Sequence, residues 1–275
     1  MNIRDLARNG LPLQEIMLID MHCHIGAYNN LYIPYLDEDE QIIQYNKTME
    51  SVGVNYSAIS MLRGLASGIL GSNLDLYNYM QNDEKLLGWV TYIPSLVNES
   101  LDVAERCFAL SKQYIGIKVH PEINRYPITD QNYIPMWEYA NDKGLIVLAH
   151  AWGAHSEPSM FREIAATYTN TKILLGHCGG REPEISVAIQ LANQFDNIYL
   201  DLNGAFIYSR IWLENIVQRA DTAKILFSSD TMFNNICWEI GHVAFAKIPD
   251  SVKLDILGLN AKRLLAGNIC KKSKS

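Results

Sequence analysis

Eight short apolar runs, spread evenly along 275 residues, constrain the fold of this chain more than any other feature. They are 16–22 (IMLIDMH), 54–61 (VNYSAISM), 86–93 (LLGWVTYI), 115–120 (IGIKVH), 145–150 (LIVLAH), 172–177 (KILLGH), 198–202 (IYLDL) and 225–230 (ILFSSD). Each is brief, aliphatic or β-branched, and nearly continuous in apolarity, as parallel strands buried on both faces are. Amphipathic stretches lie between them, at 40–52, 100–110 and 130–142. The last opens on Asp130 as an N-cap and is stopped by Gly144, and Pro183 marks the first turn of another helix. Eight such units predict an α/β fold, a distorted (β/α)8 TIM barrel, in preference to an open doubly wound sheet. No linker or fixed-period repeat divides the chain. Residues 1–275 are therefore expected to form a single barrel domain, with 271–275 (KKSKS) a frayed, disordered tail.

Charge and cysteine usage narrow the function. Lys and Arg number 23 against 30 Asp and Glu, a net charge of −7, which argues against a nucleic-acid surface. The five cysteines are widely spaced and form no CxxC, which points to a reducing compartment. The first twenty residues lack the apolar core of a signal peptide, and no apolar run approaches the length of a membrane span. A cytoplasmic protein that acts on a small molecule is expected. No nucleic-acid or membrane partner is expected, and a homodimer, the commonest assembly, is the expectation for its oligomeric state.

Barrel enzymes place their chemistry at the C-terminal ends of the strands. Here those ends read Asp20-Met21-His22-Cys23-His24, then His120, His150, His177 and Asp230. Residues i and i+2 share a strand face, so His22 and His24 point the same way and Cys23 the other. Two imidazoles facing the barrel interior, with later strands ending in His, His and Asp, form a metal site in the making. Imidazole and carboxylate suit zinc foremost, with manganese, iron(II) or nickel(II) as alternatives. A catalytic metal lowers the pKa of bound water to about 7, and proton carriers must then serve the water and the leaving group. His177 and Asp230 are the candidates for that work.

These motifs together resemble the amidohydrolase superfamily, within it the amidohydrolase-related branch that includes aminocarboxymuconate semialdehyde decarboxylase. The resemblance rests on DMHCHIG at 20–26, GIKVHP at 116–121, VLAHAWG at 147–153, ILLGHCGG at 173–180, ILFSSDTMF at 225–233 and LGLNAKRLLAG at 257–267. It implies metal ligation by His22, His24, His150 and Asp230. It further implies a base or substrate-polarising role for His177 and a proton relay through Asp230. Two-metal relatives carry a bridging carboxylated Lys or a Glu at the end of the fourth strand. Here Lys118 is expected to sit deeper and pair with a carboxylate, with His120 nearer the mouth as a substrate contact or extra ligand. One divalent ion per chain is therefore expected.

Arg63 and Arg181 follow the second and sixth strands and are candidates for binding a substrate carboxylate. Trp152 and His155 are placed to wall the pocket, and Asn203 to orient a ligand. Cys178 and His242 are expected to be structural. The leading expectation is a metal-dependent hydrolase in which activated water attacks an amide, lactone or ester carbonyl. The alternative is a metal-dependent nonoxidative decarboxylase of an aromatic or unsaturated carboxylate. A barrel that has lost its chemistry is the third reading, and the full set of strand-end ligands argues against it.

Overall fold

The structure, a computed structural model, describes residues 2–10, 12–13, 15–28, 37–204 and 212–266. The apolar runs form eight strands: β1 (Ile19–Ile25), β2 (Tyr56–Met61), β3 (Leu86–Thr91), β4 (Tyr114–Val119), β5 (Ile146–His150), β6 (Lys172–Gly176), β7 (Ile198–Asp201) and β8 (Ile225–Leu226). They pair in sequence order, every pair parallel, and helices fill the connections. This is the expected (β/α)8 barrel. The helix Glu38–Val52 starts where Asp37 accepts hydrogen bonds from the amides of Asp39 and Glu40. The helix Ile134–Lys143 ends at Gly144, whose φ of 63° lets its amide reach Ala140 and Asn141.

The barrel closes imperfectly. β8 is two residues long, although the apolar run 225–230 predicts six, because residues beyond Leu226 have no ladder with β7. They meet β1 through a single bridge, Cys23 to Thr231, and scattered backbone bonds. The amide of Met21 donates to Phe227 (3.1 Å), that of Asp230 to His22 (2.8 Å) and that of His24 to Thr231 (2.6 Å). β1 also begins three residues later than the run 16–22 suggests. Ile16 and Leu18 are buried against the outer layer instead, and the Leu18 amide donates to the Asn55 side chain at 2.7 Å.

Two apolar layers result. Ile19, Met21, Leu87, Trp89, Ile115, Leu148, Leu174 and Leu226 fill the barrel interior. Ala261 and Leu265 from the closing motif 257–267 join them, so that motif has a packing role. The second layer lies between the sheet and the helices, and Cys23 and Cys178 are buried in it, as expected for residues facing away from the site. The tail 271–275 lies outside the described residues.

Gly116 marks how closely the inner layer is packed. A Cβ there would run into the Ile146 carbonyl oxygen and come within 2.8 Å of the Trp89 ring. Gly116→Ala is expected to destabilise the barrel by about 3 kcal/mol, because a backbone carbonyl cannot step aside as a side chain can. Denaturant unfolding should show a lower midpoint with an unchanged slope.

Candidate metal centre

The polar end of the barrel begins with β1. His22 and His24 both enter the interior, and Cys23 faces outward, as alternation requires. His22 Nδ1 lies 2.6 Å from Asp201 Oδ2 on β7, so the Nδ1 proton is held by a carboxylate and Nε2 keeps its lone pair. His24 Nδ1 lies 2.9 Å from the Ser60 hydroxyl, which can in turn donate to the Cys23 carbonyl. With Nδ1 as the donor of that pair, His24 Nε2 can face a cation; with its proton on Nε2 instead, it donates to Asp230 Oδ1.

The two Nε2 atoms stand 3.1 Å apart, and His24 Nε2 is 3.2 Å from Asp230 Oδ1. Two imidazole nitrogens and a carboxylate oxygen gathered this closely form a donor set for a cation, and the Lys118 ammonium already lies 2.7 Å from His22 Nε2. One donor atom from each of His22, His24 and Asp230 lies within 4.8 Å of the others. Nitrogens about 2.1 Å from a shared ion stand roughly 3 Å apart, so the donor set fits a divalent metal.

A cavity of about 210 Å³ opens over this group, lined by His22, His24, Tyr28, Leu62, Lys118, His120, Ile123, His150, Trp152, His177, Asp230 and Phe233. A wider groove of about 580 Å³ near Tyr56 and Lys85 has no imidazole in its walls, so the chemistry belongs to the smaller space. Two side chains reach the cavity through unusual backbone. His177 has φ 61° and Asp230 φ 55°, conformations that a non-glycine residue keeps only where its surroundings impose them.

Burial governs the electrostatics. It pushes the His22, His120 and His150 imidazoles well below their usual range, lowers His24, and brings His177 down to about 4. The same burial lowers the Lys118 ammonium to about 8 and raises the Asp201 carboxyl to about 7. Asp230 goes the other way. Burial would raise it, but the His24 hydrogen bond and the fields of His177, His24 and Lys118 outweigh that, and the carboxyl is held below its ordinary value.

Several expected residues stand elsewhere than foreseen. His150 lines the cavity but is not in the donor cluster. Its Nε2 bonds the Trp152 carbonyl at 2.8 Å, its Nδ1 has no partner, and its ring stacks on His120 at 3.9 Å. Lys118 bonds an imidazole and not a carboxylate: its Nζ is 2.7 Å from His22 Nε2. Arg63 is taken by a bidentate pair with Glu38 (2.7 and 2.6 Å) and by Asp75, which removes it from the cavity. Arg181 is exposed and lines no part of it. Asn203 donates to both Asp201 oxygens (2.9 and 3.1 Å), which steadies the carboxylate behind His22. Trp152 does wall the cavity, and His155 instead pairs with Glu122 at 3.1 Å. His242 pairs with Glu239 on its own helix. Asp201, Ser60 and Asp20 were given no role from sequence. A lone charge inside the apolar run IYLDL was the signal for Asp201, while Ser60 carries none.

Comparison with known proteins follows the same line. The family model described as Amidohydrolase matches residues 19–266. A comparison with curated proteins gave no match. Among solved structures, 2,6-dihydroxybenzoate decarboxylase from Rhizobium is similar with a TM-score of 0.71 at 13% identity, over 91% of this chain and 99% of that one. A dihydroxybenzoic acid decarboxylase from a Polaromonas species, with bound manganese, is similar with a TM-score of 0.68 at 16% identity, over 94% and 100% of the two chains. A 4-oxalomesaconate hydratase from Rhodopseudomonas palustris is similar with a TM-score of 0.63 at 14% identity, over 91% and 96%. Those identities speak for the barrel alone. The family match spans nearly all of the barrel and the cluster within it, and by it this chain belongs to the amidohydrolase family.

Proposed function

We propose that this protein is a metal-dependent hydrolase acting on an amide, ester or lactone carbonyl of a small substrate. The placement of Asp230 carries the reading: an ionised carboxylate at the cavity wall, 3.2 Å from His24 Nε2. His22, His24 and Asp230 would hold one divalent ion, zinc foremost and manganese next. When bound, such an ion supplies Lewis acidity that acidifies water and polarises a carbonyl oxygen.

The chain's own groups supply the rest. Asp230 is ionised, because its carboxyl is held below the usual range, and it faces the cavity where a proton must be taken up. His177, with its pKa brought down to about 4, is neutral near pH 7 and can hydrogen-bond a developing oxyanion or the leaving group. Tyr28, Leu62, Trp152 and Phe233 keep bulk water from the site. The cavity volume of about 210 Å³ equals about seven water molecules and limits the substrate to a small one.

Decarboxylation is the second reading. Lys118 is a cation in the same cavity and can pair with a substrate carboxylate, and four of the similar structures bear decarboxylase names. Hydrolysis is preferred because Arg63 and Arg181 stand away from the cavity and Lys118 already bonds His22. Release of labelled CO2 from carboxyl-labelled aromatic acids, with no turnover of esters, lactones or amides, would reverse the order.

Protein purified without chelator is expected to carry about one divalent ion per chain, and His22→Ala to lose it. Turnover of an ester, lactone and amide panel should vanish on chelation and return with zinc or manganese. Intact turnover by His22→Ala would sink the proposal. Asp230→Asn should lower kcat by about 10²-fold or more, which single-turnover kinetics can read. Acid sensitivity follows from the imidazoles. Protons compete with the ion for the Nε2 atoms of His22 and His24, and burial lowers both from 6.5. Bound metal should therefore survive to below pH 6.5 and be lost as pH falls further. Equilibrium dialysis across pH 4–8 tests this, and half-loss above pH 6.5 would contradict it.

A further inference from the structure

We infer that Asp20 is a positioning residue for the metal centre: from behind β1 its carboxylate staples β1 to the chain after β8 and thereby sets Asp230 against His22 and His24. The inference rests on reading those three residues as the metal-holding group.

The seam needs such a device. β1 and the residues after Leu226 share one isolated bridge, Cys23 to Thr231, with no regular ladder. Two backbone bonds tie this segment to β1, Asp230 N–H to the His22 carbonyl and His24 N–H to the Thr231 carbonyl, but no ladder extends to 228 and 229, and Asp230 must keep a φ of 55° and a carboxylate 3.2 Å from His24. Asp20 is fully buried and outside the cavity lining. Its Oδ1 accepts the Ser229 amide at 2.9 Å and the His22 amide at 3.3 Å. Its Oδ2 accepts the Ser229 hydroxyl. Ser229 Oγ in turn accepts the Thr231 amide at 3.1 Å and lies 2.6 Å from the Thr231 hydroxyl.

One carboxylate thus ties the backbone of His22 to both chain neighbours of Asp230. A group of ligands works only when held to about half an ångström. The residues that orient ligands act on metal affinity by about 10–100-fold when altered, without touching the ion. Asp20 meets that description through hydrogen bonds to backbone on both sides of the seam.

The test uses the full chain. Asp20→Asn is nearly isosteric but places N–H groups where the Ser229 hydroxyl donates. Ser229→Ala keeps Asp20 and its bond to the 229 amide, and cuts the link to Thr231. Ile164→Ala, buried in the outer helix Phe161–Thr167, is the stability control. After metal removal, zinc affinity is read by competition with a chromogenic chelator, alongside the denaturation midpoint. Asp20→Asn and Ser229→Ala are expected to bind zinc about 10–100-fold more weakly, while Ile164→Ala binds it as the parent does. Parent-like affinity in both seam variants, or equal weakening in the control, overturns the inference. Should Asp20→Asn fail to fold, Ser229→Ala decides alone. A parent chain that takes up no divalent ion defeats the hydrolase proposal itself, an outcome distinct from failure of the seam variants.

Discussion

The change of side-chain parity within β1 is the constraint on which the site depends. Alternate residues of a strand share a face, so Ile19 and Met21, which fill the barrel interior, would send His22 and His24 outward. The register of β1 on β2 shifts between Asp20 and Cys23, and the two sets share the inner face. β4 behaves alike. Its pairing with β3 slips beside Ile115, which lets Ile115 and Lys118 both face inward. The two irregular strands deliver the pair His22 and Lys118 to 2.7 Å from each other. A bulge spends ladder regularity to re-aim a side chain, and here both bulges aim at one point.

Charge balance then explains why the site calls for a cation. Among the described residues the buried imidazoles are neutral and Asp230 is ionised, while Lys118 and Asp201, brought to about 8 and about 7, titrate close to neutral pH. Whenever Asp201 is ionised, one ammonium faces two carboxylates, and an unmatched negative charge in a low-dielectric interior is costly. A divalent ion among His22, His24 and Asp230 reverses that imbalance and suits two imidazole nitrogens that stand 3.1 Å apart. Arg63 is matched to Glu38 and Asp75 outside the cavity, so among the described residues Lys118 is the one Lys or Arg in the cavity wall.

The architecture was legible because it is carried by local pattern. Eight apolar runs and strand-end histidines survive as strands and cavity walls, since burial on both faces and the position of a strand end are written in consecutive residues. What was not legible depends on non-local partners. Nothing near Arg63 in sequence announces the bidentate grip of Glu38, 25 positions away. The pairing of His22 with Asp201 spans 179 positions and that of Asp20 with Ser229 spans 209. β8 was read too long for a related reason: ILFSSD is apolar enough for a strand, but whether it has a ladder partner is decided by β7 and β1. His150 sits at the expected strand end, yet the Trp152 carbonyl holds its Nε2. That bond lies two residues away and leaves no trace in composition.

Missing side chains shape the cavity as much as those present. A Cβ on Gly180 would collide with the Trp152 ring, so the glycine lets that indole lie against the turn after β6 and close one wall beside His177. A Cβ on Gly204 would come within 2.9 Å of His177 Nδ1. His177 thus occupies space that Gly204 concedes, beside the Trp152 ring that Gly180 admits, with φ 61° on its own backbone. An imidazole confined in this way cannot turn out toward water, and burial holds it neutral at about pKa 4. Its neutrality and its orientation therefore have one cause, the close packing of the turn 177–180 against Trp152 and Gly204. A side chain at Gly204 would displace the His177 ring directly, and one at Gly180 would displace the Trp152 indole that packs beside it.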